Sequence, residues 1–390
     1  MSRPAPLADL RVLDLSRLLP GPLATQHLAD LGAEVIKIED TGTGDYARGL
    51  GPRAPDGTAW LFHLCNRNKR SLRLDLKKPA GCELFLELAK GADVVVEGFR
   101  PGVMERLGVG YPTLRAVNPR LVYCAITGYG QSGPWRERAG HDLNYIAVSG
   151  VLEQIGAEGG PPAIPNLQIG DLLGGSLSAV MGILAAVIDA RTHGTGRFVD
   201  VAMADCVLAH NLFPLIALLG GSSAARGADL LTGGYPCYAV YPTADGRYMA
   251  VAALEPKFWA ECCRVLGHPE LEPRQFDPAA RAELAALFAH RSQAEWAALF
   301  AAADCCVTPV LSMTESLEHP QFRARGLIGE DAAGRLRPGF PLRFSDYACA
   351  ERHPPPAPGA DSAAILREAG YDEAAIERLA AQGVIGLAAG

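Results

Sequence analysis

The residues best suited to acid–base chemistry lie near the middle of the chain. His141 and Asp142 follow Gly140, and a second acid, Asp171, stands at the start of an apolar stretch. A histidine titrates near neutral pH and can exchange a proton with a substrate, but a lone histidine needs a partner before that role carries weight. Asp142, Asp171 and the later Glu255 are the candidate partners, and we expect the reactive centre among these residues.

The apolar residues after Asp171 recur every three or four positions, which predicts a helix with one buried face. That face would consist of Leu173, Leu177, Val180, Met181, Leu184 and Ile188. Asp171 would lie in the first turn, where a carboxylate can simply satisfy free backbone N–H groups. The nearby Gly174 and Gly175 would also let a ligand or a second backbone come close. The residues alone leave both interpretations open.

Composition limits the classes of protein to consider. The 390 residues exceed a usual single core and indicate two domains, with 49% hydrophobic residues to fill them. The net charge of -7 and the lack of a long basic run argue against nucleic acid or an anionic membrane surface as partner.

Cysteine usage and the chain start suggest a cellular location. The ten cysteines include no CxxC pair and no Cys/His cluster with metal-ligand spacing, so we expect buried thiols in a reducing cytosol. No signal sequence precedes Asp9, and the longest apolar stretch, Leu177 to Ile188, is too short to span a bilayer. We expect a soluble cytoplasmic protein without a metal or nicotinamide cofactor.

The first forty residues predict an α/β fold. Arg11–Leu15 and Glu34–Ile38 have strand patterns on either side of a helical pattern at Gly21–Leu31. The first turn lacks the glycines of a dinucleotide fingerprint. Gly128–Gly133 matches GxGxxG, but Pro134 follows where the fingerprint needs a helix, so we expect only a turn there.

Two basic features could meet a phosphate. Asn66–Arg70 leads into a strand at Ser71–Leu76, and it is either a solvated basic turn or a phosphate grip. Arg100 follows the buried strand Asp93–Glu97, and it would stand at the carboxyl edge of a sheet, where α/β proteins bind ligands.

The glycine-rich stretch Gly220–Gly234 marks a domain boundary. A hairpin of Tyr235–Tyr241 and Arg247–Ala253 is predicted after it, followed by a helix that begins at Glu255-Pro256. The last two helices, from Asp361 onwards, have no core of their own.

Several motifs together resemble the family III coenzyme A transferases and, within them, the α-methylacyl-CoA racemases. The motifs are Leu19-Pro20-Gly21-Pro22, Leu28-Ala29-Asp30-Leu31-Gly32-Ala33, Asn68-Lys69-Arg70-Ser71-Leu72, Leu74-Asp75-Leu76-Lys77, Phe99-Arg100-Pro101-Gly102-Val103, Gly140-His141-Asp142-Leu143-Asn144-Tyr145, Gly170-Asp171-Leu172 and Leu254-Glu255-Pro256. The resemblance runs nearly from end to end.

The resemblance implies a fold and an assembly. A large Rossmann-like domain would hold residues 1–220 and be completed by residues 331–390, with the Asp30 region beside the final helices. A small α/β domain would hold residues 221–330. Two such chains would interlock as a homodimer.

The resemblance also implies the site. His141 and Asp171 would form an acid–base pair, with Glu255 supporting His141. The coenzyme A part of an acyl-CoA thioester would lie along Leu74, Asp75, Leu76 and Lys77, with Arg100 beside it. The acyl end would be held by Gly140, Asp142, Leu143, Asn144 and Tyr145.

The chain departs from the racemase pattern at two places. Asp40 stands where a racemase can carry a basic residue for the nucleotide. The loop Gly44–Arg48 is similar to transferase members instead. We therefore assign no coenzyme A contact to this segment.

Racemisation next to a thioester fits these residue types. One group must remove the α-proton while a second delivers a proton to the opposite face, so the pair must start in opposite protonation states. Backbone N–H groups of Gly170–Gly175 would stabilise the enolate, and no cofactor is needed. We therefore predict an isomerase of (2R)- and (2S)-2-methylacyl-CoA thioesters in fatty acid metabolism. The alternative is a coenzyme A transferase with Asp171 as nucleophile, which has no evident need for His141.

Overall fold

The computed structural model describes residues 3–223, 225–330 and 334–388. Two compact units are present, and each is described by itself. The larger unit comprises the described residues of Met1–Ser149, Leu167–His210 and Gly326–Gly390, and the smaller unit those of Gly150–Asn166 and Asn211–Arg325. The sequence analysis placed 151–166 and 211–220 in the large domain, whereas the structure groups both with the smaller unit. The glycine-rich stretch therefore does not mark the division; the chain crosses at Asn211, where a helix breaks just before Pro214.

The strands are β1 Arg11–Asp14, β2 Glu34–Glu39, β3 Lys69–Leu74, β4 Val94–Glu97, β5 Val122–Thr127, β6 Phe198–Ala202, β7 Tyr238–Pro242, β8 Tyr248–Ala252, β9 Val307–Pro309, β10 Ile328–Glu330, β11 Leu336–Pro338 and β12 Ile385–Gly386. The α-helices are α1 Pro20–Asp30, α2 Trp60–Cys65, α3 Pro79–Lys90, α4 Val103–Arg106, α5 Tyr111–Val117, α6 Asp142–Val148, α7 Val151–Gln154, α8 Ser178–His193, α9 Met203–His210, α10 Leu212–Leu219, α11 Pro256–Leu266, α12 Ala280–Phe288, α13 Gln293–Phe300, α14 Met313–Glu318, α15 Pro320–Ala324, α16 Ser362–Glu368 and α17 Glu373–Ala381. A π-helical segment, Gly170–Leu177, precedes α8, and short 3-10 turns occupy Tyr46–Arg48 and Pro269–Arg274.

The larger unit is built on a seven-stranded sheet in the order β12-β3-β2-β1-β4-β5-β6. Six strands are parallel, and only β12 runs antiparallel to its neighbour β3. The central strands β4 and β5 are buried along their whole length, as expected for a sheet with cores on both faces. The strand order changes direction between β1 and β4, so their carboxyl ends border the crevice where such sheets bind ligands. The predicted α/β fold with a large parallel sheet is confirmed.

The end of the chain returns to this sheet. In β12, Ile385 pairs with Leu74 of β3. The buried Ile365 and Leu366 of α16 and Ile376 of α17 belong to the same apolar cluster as Leu74. The final helices therefore use the core of the larger unit. The Asp30 region contacts an earlier segment, since the Tyr347 hydroxyl donates to the Asp30 carbonyl oxygen.

The smaller unit contains an antiparallel sheet in the order β7-β8-β9. The hairpin of β7 and β8 and the start of α11 after Glu255 agree with the sequence analysis. Trp259, Cys262 and Cys263 of α11 pack into the core of this unit. Side chains along a strand alternate between the two faces of the sheet, and Val240 and Tyr248 are exposed on the face opposite this core.

The predicted buried face of the helix after Asp171 is wrong for three residues, whereas Val180 and Leu184 of that face do pack against the core. Leu177, Met181 and Ile188 are 52%, 66% and 66% exposed. The buried side carries mostly small residues, namely Gly174, Gly175, Ser176, Ser178, Ala179, Ile183, Ala186, Val187 and Ala190. Small side chains let the helix approach its neighbours more closely than leucines would, so close packing overrides the apolar pattern.

The helix is also longer than the apolar stretch suggested. Gly170–His193 is, among the described residues, the one helix long and apolar enough to cross a bilayer by length and composition. A core helix of a soluble protein passes the same test. This helix packs against α1, β5 and β6 of its own unit.

Candidate active site

Asp171 lies in the first turn of the π-helical segment Gly170–Leu177. At the end of the segment the backbone N–H of Ser178 donates to the carbonyl of Leu173, five residues earlier, which is the π-helical spacing. π-Helical turns are rare and often occur at functional sites. The backbone that carries Asp171 is therefore irregular where chemistry was predicted.

Close backbone packing fixes this segment on two sides. A Cβ atom on Gly174 would lie 2.6 Å from the carbonyl oxygen of Met203, which begins α9. A Cβ atom on Gly175 would lie 2.7 Å from the Cβ of Pro20, which begins α1. Only glycine fits at both positions, and of the two predicted uses, a ligand or a second backbone, the structure shows close approach of neighbouring chain.

His141 and Asp142 meet the start of the π-helical segment. His141 precedes α6, and its backbone N–H donates to the side-chain oxygen of Asn144 at 3.0 Å. The Oδ1 atom of Asp142 accepts the backbone N–H of Asp171, also at 3.0 Å. Gly170 leaves room for this bond, since a Cβ there would lie 3.0 Å from Asp142 Oδ1. The Gly140–Tyr145 motif and Asp171 are thus brought together, as the sequence analysis expected.

The electrostatic environment of Asp171 favours its neutral form. Burial, together with the negative charge of Asp142, raises the pKa of Asp171 to about 6, while His141 acts to lower it. No residue of the described ranges donates a hydrogen bond to the Asp171 carboxyl oxygens. The group is half-buried and free to exchange a proton near neutral pH.

Tyr145 supports the turn before His141. Its hydroxyl donates to the carbonyl oxygen of Gly140 at 2.5 Å, and its ring packs edge-on against Tyr129 with 5.4 Å between centroids. Burial raises the pKa of Tyr145. Both Gly140 and Tyr145 are therefore engaged with each other. Of the residues predicted to hold the acyl group, Leu143 and Asn144 are exposed.

The predicted donors for an enolate are partly occupied. The N–H of Asp171 donates to Asp142, and the N–H of Leu172 donates to the carbonyl of Gln168 at 2.9 Å. The expectation that the N–H groups of Gly170–Gly175 bind the enolate is therefore wrong for these two groups.

The predicted coenzyme A segment, residues 74–77, begins with the last residue of β3 and continues into the turn that follows this strand. The Leu74 side chain is 1% exposed within the core, so the prediction that it lines a ligand site is wrong. Asp75 lies in a turn, where its N–H donates to Val384 O at 2.8 Å and its Oδ1 accepts the Lys77 N–H at 3.0 Å. Leu76 packs against the core, and Lys77 is exposed.

Arg100 stands where the sequence analysis placed it. It is exposed in the turn after β4, and Nη1 lies 3.5 Å from the carbonyl oxygen of Glu137. A guanidinium there can reach a ligand in the crevice between the β1 and β4 ends.

Both interpretations of the basic cluster Asn66–Arg70 are wrong. Arg67 is buried and forms paired hydrogen bonds to the Asp30 carboxylate at 2.9 and 2.5 Å. Lys69 is fully buried, and its Nζ lies 3.0 Å from Asp14 Oδ2. Arg67 and Lys69 are neither solvated nor free for phosphate, because acids from other elements already accept their hydrogen bonds. Arg70 is partly exposed, and it pairs with Glu34 and Glu368.

Glu255 belongs to the smaller unit. It is exposed and precedes α11 as the N-cap residue. Its predicted support of His141 stays a prediction.

Sequence analysis missed a cation at the end of β1. The Arg17 guanidinium lies 5.3 Å from the centre of the Phe99 ring, which follows β4, and 5.2 Å from that of Tyr46. It also pairs with Asp40 at 3.0 Å. The turn that contains Ser16 and Arg17 was not assigned a ligand, because it lacks the glycines of a dinucleotide fingerprint. Its position after the first strand of a Rossmann-like sheet could nevertheless have pointed to Arg17.

The loop that departs from the racemase pattern is held by buried ion pairs. Asp45 Oδ2 lies 2.8 Å from Lys37 Nζ, with both side chains fully buried, and Arg48 pairs with Glu39 at 2.6 Å. Asp45 Oδ1 also accepts the backbone N–H of Leu18, which adopts a left-handed φ of 66°. The loop thereby fixes the turn after β1.

Comparison with known proteins agrees with this fold. Residues 7–362 match the model of CoA-transferase family III. The alpha-methylacyl-CoA racemase of Homo sapiens is 37% identical over 388 residues, which cover 97% of each chain. The succinyl-CoA:glutarate CoA-transferase of Mus musculus is 35% identical over 395 residues, which cover 97% of this chain and 90% of that protein. The crystal structure of a CaiB/BaiF family protein from Brucella suis is similar with a TM-score of 0.84 and 32% identity, covering 94% of this chain and 100% of that chain.

The parallel sheet and these matches define an α/β enzyme of the family III CoA-transferase superfamily. The chain belongs to CoA-transferase family III, and the resemblance found in its motifs is confirmed. Racemases and transferases both occur among its relatives. Family membership is therefore compatible with a reaction at the α-carbon and with a reaction at the thioester.

Proposed function

We propose that the protein interconverts the (2R)- and (2S)-epimers of 2-methylacyl-CoA thioesters. The observation that carries this proposal is the proximity of His141 to a half-buried Asp171 whose pKa is about 6. A carboxyl group with a raised pKa can start protonated beside an imidazole that starts neutral, and an epimerase needs one base and one acid.

The reaction would use this shared proton in both directions. In one direction neutral His141 removes the α-proton and leaves an enolate, while protonated Asp171 delivers a proton to the opposite face of the α-carbon. In the other direction the Asp171 carboxylate is the base and the His141 imidazolium is the acid. At pH 7 roughly a tenth of a carboxyl group with a pKa near 6 is protonated, which suffices for turnover.

The bond from Asp171 N–H to Asp142 supports this arrangement. It fixes the backbone of Asp171 beside the start of α6, which follows His141 directly. The negative charge of Asp142 also opposes ionisation of Asp171. Positioning and pKa adjustment thus come from one carboxylate.

Substrate binding would use exposed groups near the sheet edge. Arg100 and Lys77 are the exposed cations of the predicted coenzyme A residues, and Arg17 lies at the crevice between β1 and β4. We expect one or more of them to contact the phosphates or the thioester. Leu143 and Asn144 remain the candidates near the acyl end.

The second candidate is coenzyme A transfer with Asp171 as nucleophile. The lack of a hydrogen bond to the Asp171 carboxyl oxygens favours it, because a poorly solvated carboxylate attacks a thioester more readily. At pH 7 most of the group would be ionised, as a nucleophile requires. This reaction gives His141 no evident task.

Solvent exchange separates the two reactions. The purified protein is incubated with a chiral 2-methylacyl-CoA in deuterated water without a carboxylic acid acceptor. We expect deuterium at the α-carbon and loss of optical purity. A covalent adduct at Asp171 that hydroxylamine traps, with turnover only when an acceptor acid is present, would replace the racemase proposal by the transferase.

We further propose an interlocked homodimer located in the cytoplasm, with a role in fatty acid metabolism and no metal or other cofactor. The exposed Leu177, Met181 and Ile188 support the dimer, because apolar side chains at such exposure are usually covered in an assembly. Light scattering at micromolar concentration should give twice the mass of the 41.2 kDa chain.

A further inference from the structure

Two serine hydroxyls lie inside the irregular helix that carries Asp171. Ser176 Oγ is 2.7 Å from the carbonyl oxygen of Pro20 and 3.3 Å from that of Asp171. Ser178 Oγ donates to the carbonyl oxygen of Leu173 at 2.7 Å. Both hydroxyls therefore donate hydrogen bonds to carbonyl oxygens of the π-helical segment or of the chain packed against it.

The spacing of these contacts matches the π-helix. A serine or threonine inside an α-helix usually back-bonds to a carbonyl three or four residues earlier. Thr192 does so at the far end of α8, where its hydroxyl donates to Ile188 O at 2.9 Å. Ser176 and Ser178 instead reach carbonyls five residues earlier, which is the backbone spacing of a π-helix.

Burial makes these hydroxyls important. Ser176 is 0% exposed and Ser178 is 8% exposed, and a buried hydroxyl group needs a hydrogen-bond partner. Gly174 and Gly175, in the same segment, pack directly against α9 and α1, so the segment has little room to move sideways. A change in its helical spacing would instead turn the chain before Gly174 about the helix axis.

We propose that Ser176 and Ser178 are positioning residues that hold Gly170–Leu177 in the π-helical spacing and thereby keep Asp171 beside Asp142 and His141. With four-residue spacing, Asp171 would face a different direction and lose its N–H bond to Asp142. This inference rests on the proposal that Asp171 is the reacting carboxyl group.

The kinetic test uses three hydroxyl deletions on one continuous helix. Ser176→Ala should lower kcat by roughly tenfold to a hundredfold with little change in KM, as expected for a displaced reacting group. Ser178→Ala should have a smaller effect, because the Ser178 backbone N–H also donates to Leu173 O. Ser178→Thr keeps the hydroxyl and should restore activity. Thr192→Ala removes a hydroxyl bond of ordinary spacing and should leave activity unchanged.

A direct readout follows the carboxyl group itself. The titration of Asp171, observed by NMR of carboxyl-labelled aspartate, should move toward the ordinary aspartate range in Ser176→Ala, because the group leaves its buried position. An unchanged titration and kcat in both serine variants would overturn the proposal. So would an equal loss in Thr192→Ala, which would indicate a general weakening of the helix.

The two proposals fail in different ways. If the unmodified protein exchanges no α-proton, the racemase proposal is wrong, while the NMR titration still decides whether the serines position Asp171. If Ser176→Ala does not fold, Ser178→Ala and Ser178→Thr provide the same test. In these variants the Leu173 carbonyl oxygen still accepts the backbone N–H of residue 178, so folding is less at risk.

Discussion

Two aspartates of the larger unit occupy opposite electrostatic environments. Asp14, at the end of β1, is 0% exposed and bonds to Lys69 and to the hydroxyl of Thr25 at 2.6 Å. Burial alone would raise the pKa of Asp14, but Lys69, Lys37 and two hydroxyls outweigh burial and bring it to about 2. Asp171 is less buried, and burial together with the negative charge of Asp142 raises its pKa to about 6.

The comparison shows that burial alone does not make an acid reactive. Asp14 is the more deeply buried of the two, yet it stays ionised because complementary charges surround it. Within the described ranges no protein donor bonds to the Asp171 carboxyl oxygens, so its charge is compensated far less than that of Asp14. Such a site usually lowers the free energy of unfolding.

The largest effect expected from this comparison is on catalysis. Asp171→Asn removes a proton-transfer group and should lower turnover by roughly 10²–10⁴-fold, the range for lost acid–base catalysis. If the protein is a racemase, His141→Ala should lower turnover by a factor in the same range. Rates of conversion of one epimer into the other measure both, because this conversion needs both groups. Conversion that persists at the original rate in Asp171→Asn would assign the chemistry to another residue.

The next effect is on stability and belongs to Asp14. Asp14→Asn keeps the shape but leaves Lys69 and Lys37 buried without this counter-charge. Breaking a buried ion pair in this way lowers the free energy of unfolding by about 3–5 kcal/mol. Urea unfolding at pH 7 measures the loss. Asp171→Asn is the matched control, and equal destabilisation of the two variants would contradict the contrast between the sites.

Sequence patterns singled out the candidate reactive acid, Asp171, but gave no sign of the structural acid, Asp14. His141 and Asp171 stood out because their residue types, in glycine-containing motifs, suit proton transfer. The pairing of Asp14 with Lys69 depends on strands brought together by the sheet, and no local spacing announces it. Lys69 therefore looked like part of a phosphate grip until its partner was known.

The orientation of the helix after Asp171 was hidden for a related reason. The apolar period pointed to Leu177 and Met181 as buried, but the serines and glycines beside them pack closest to α1 and α9. The Ser176 hydroxyl bonds to Pro20 and Gly174 packs against Met203, and both partners are distant in sequence. Local pattern predicted that a helix exists there, and only the packing decides its face and spacing.

A smaller effect should appear in the pH dependence of stability. The folded-state pKa of Asp171 is raised from 3.8 to about 6, so folding favours the protonated acid. The free energy of unfolding should therefore fall as pH rises between these values and stay reduced above them. Asp171→Asn avoids this loss and should be more stable than the unmodified protein by about 1–3 kcal/mol at pH 8. Near pH 3.5 the difference should vanish, and urea unfolding at both pH values checks this.

The smallest expected effect concerns Asp142, which influences Asp171 through its charge and through a hydrogen bond. Asp142→Asn removes the charge, while its amide oxygen can still accept the Asp171 N–H. Because the Asp142 charge raises the pKa of Asp171, the variant should have a lower Asp171 pKa.

The pH profile of kcat/KM then measures this shift and separates the two reactions. A racemase is active while one proton is shared by His141 and Asp171, so its profile is bell-shaped, and its acidic limb should move to lower pH in Asp142→Asn. A transferase needs only the Asp171 carboxylate, so its activity should rise through the same limb and then stay level as far as this group is concerned. An acidic limb that does not move would mean that it reports a group other than Asp171. Asp142→Ala removes charge and hydrogen bond together, so a larger loss of activity in this variant than in Asp142→Asn would measure the contribution of the bond.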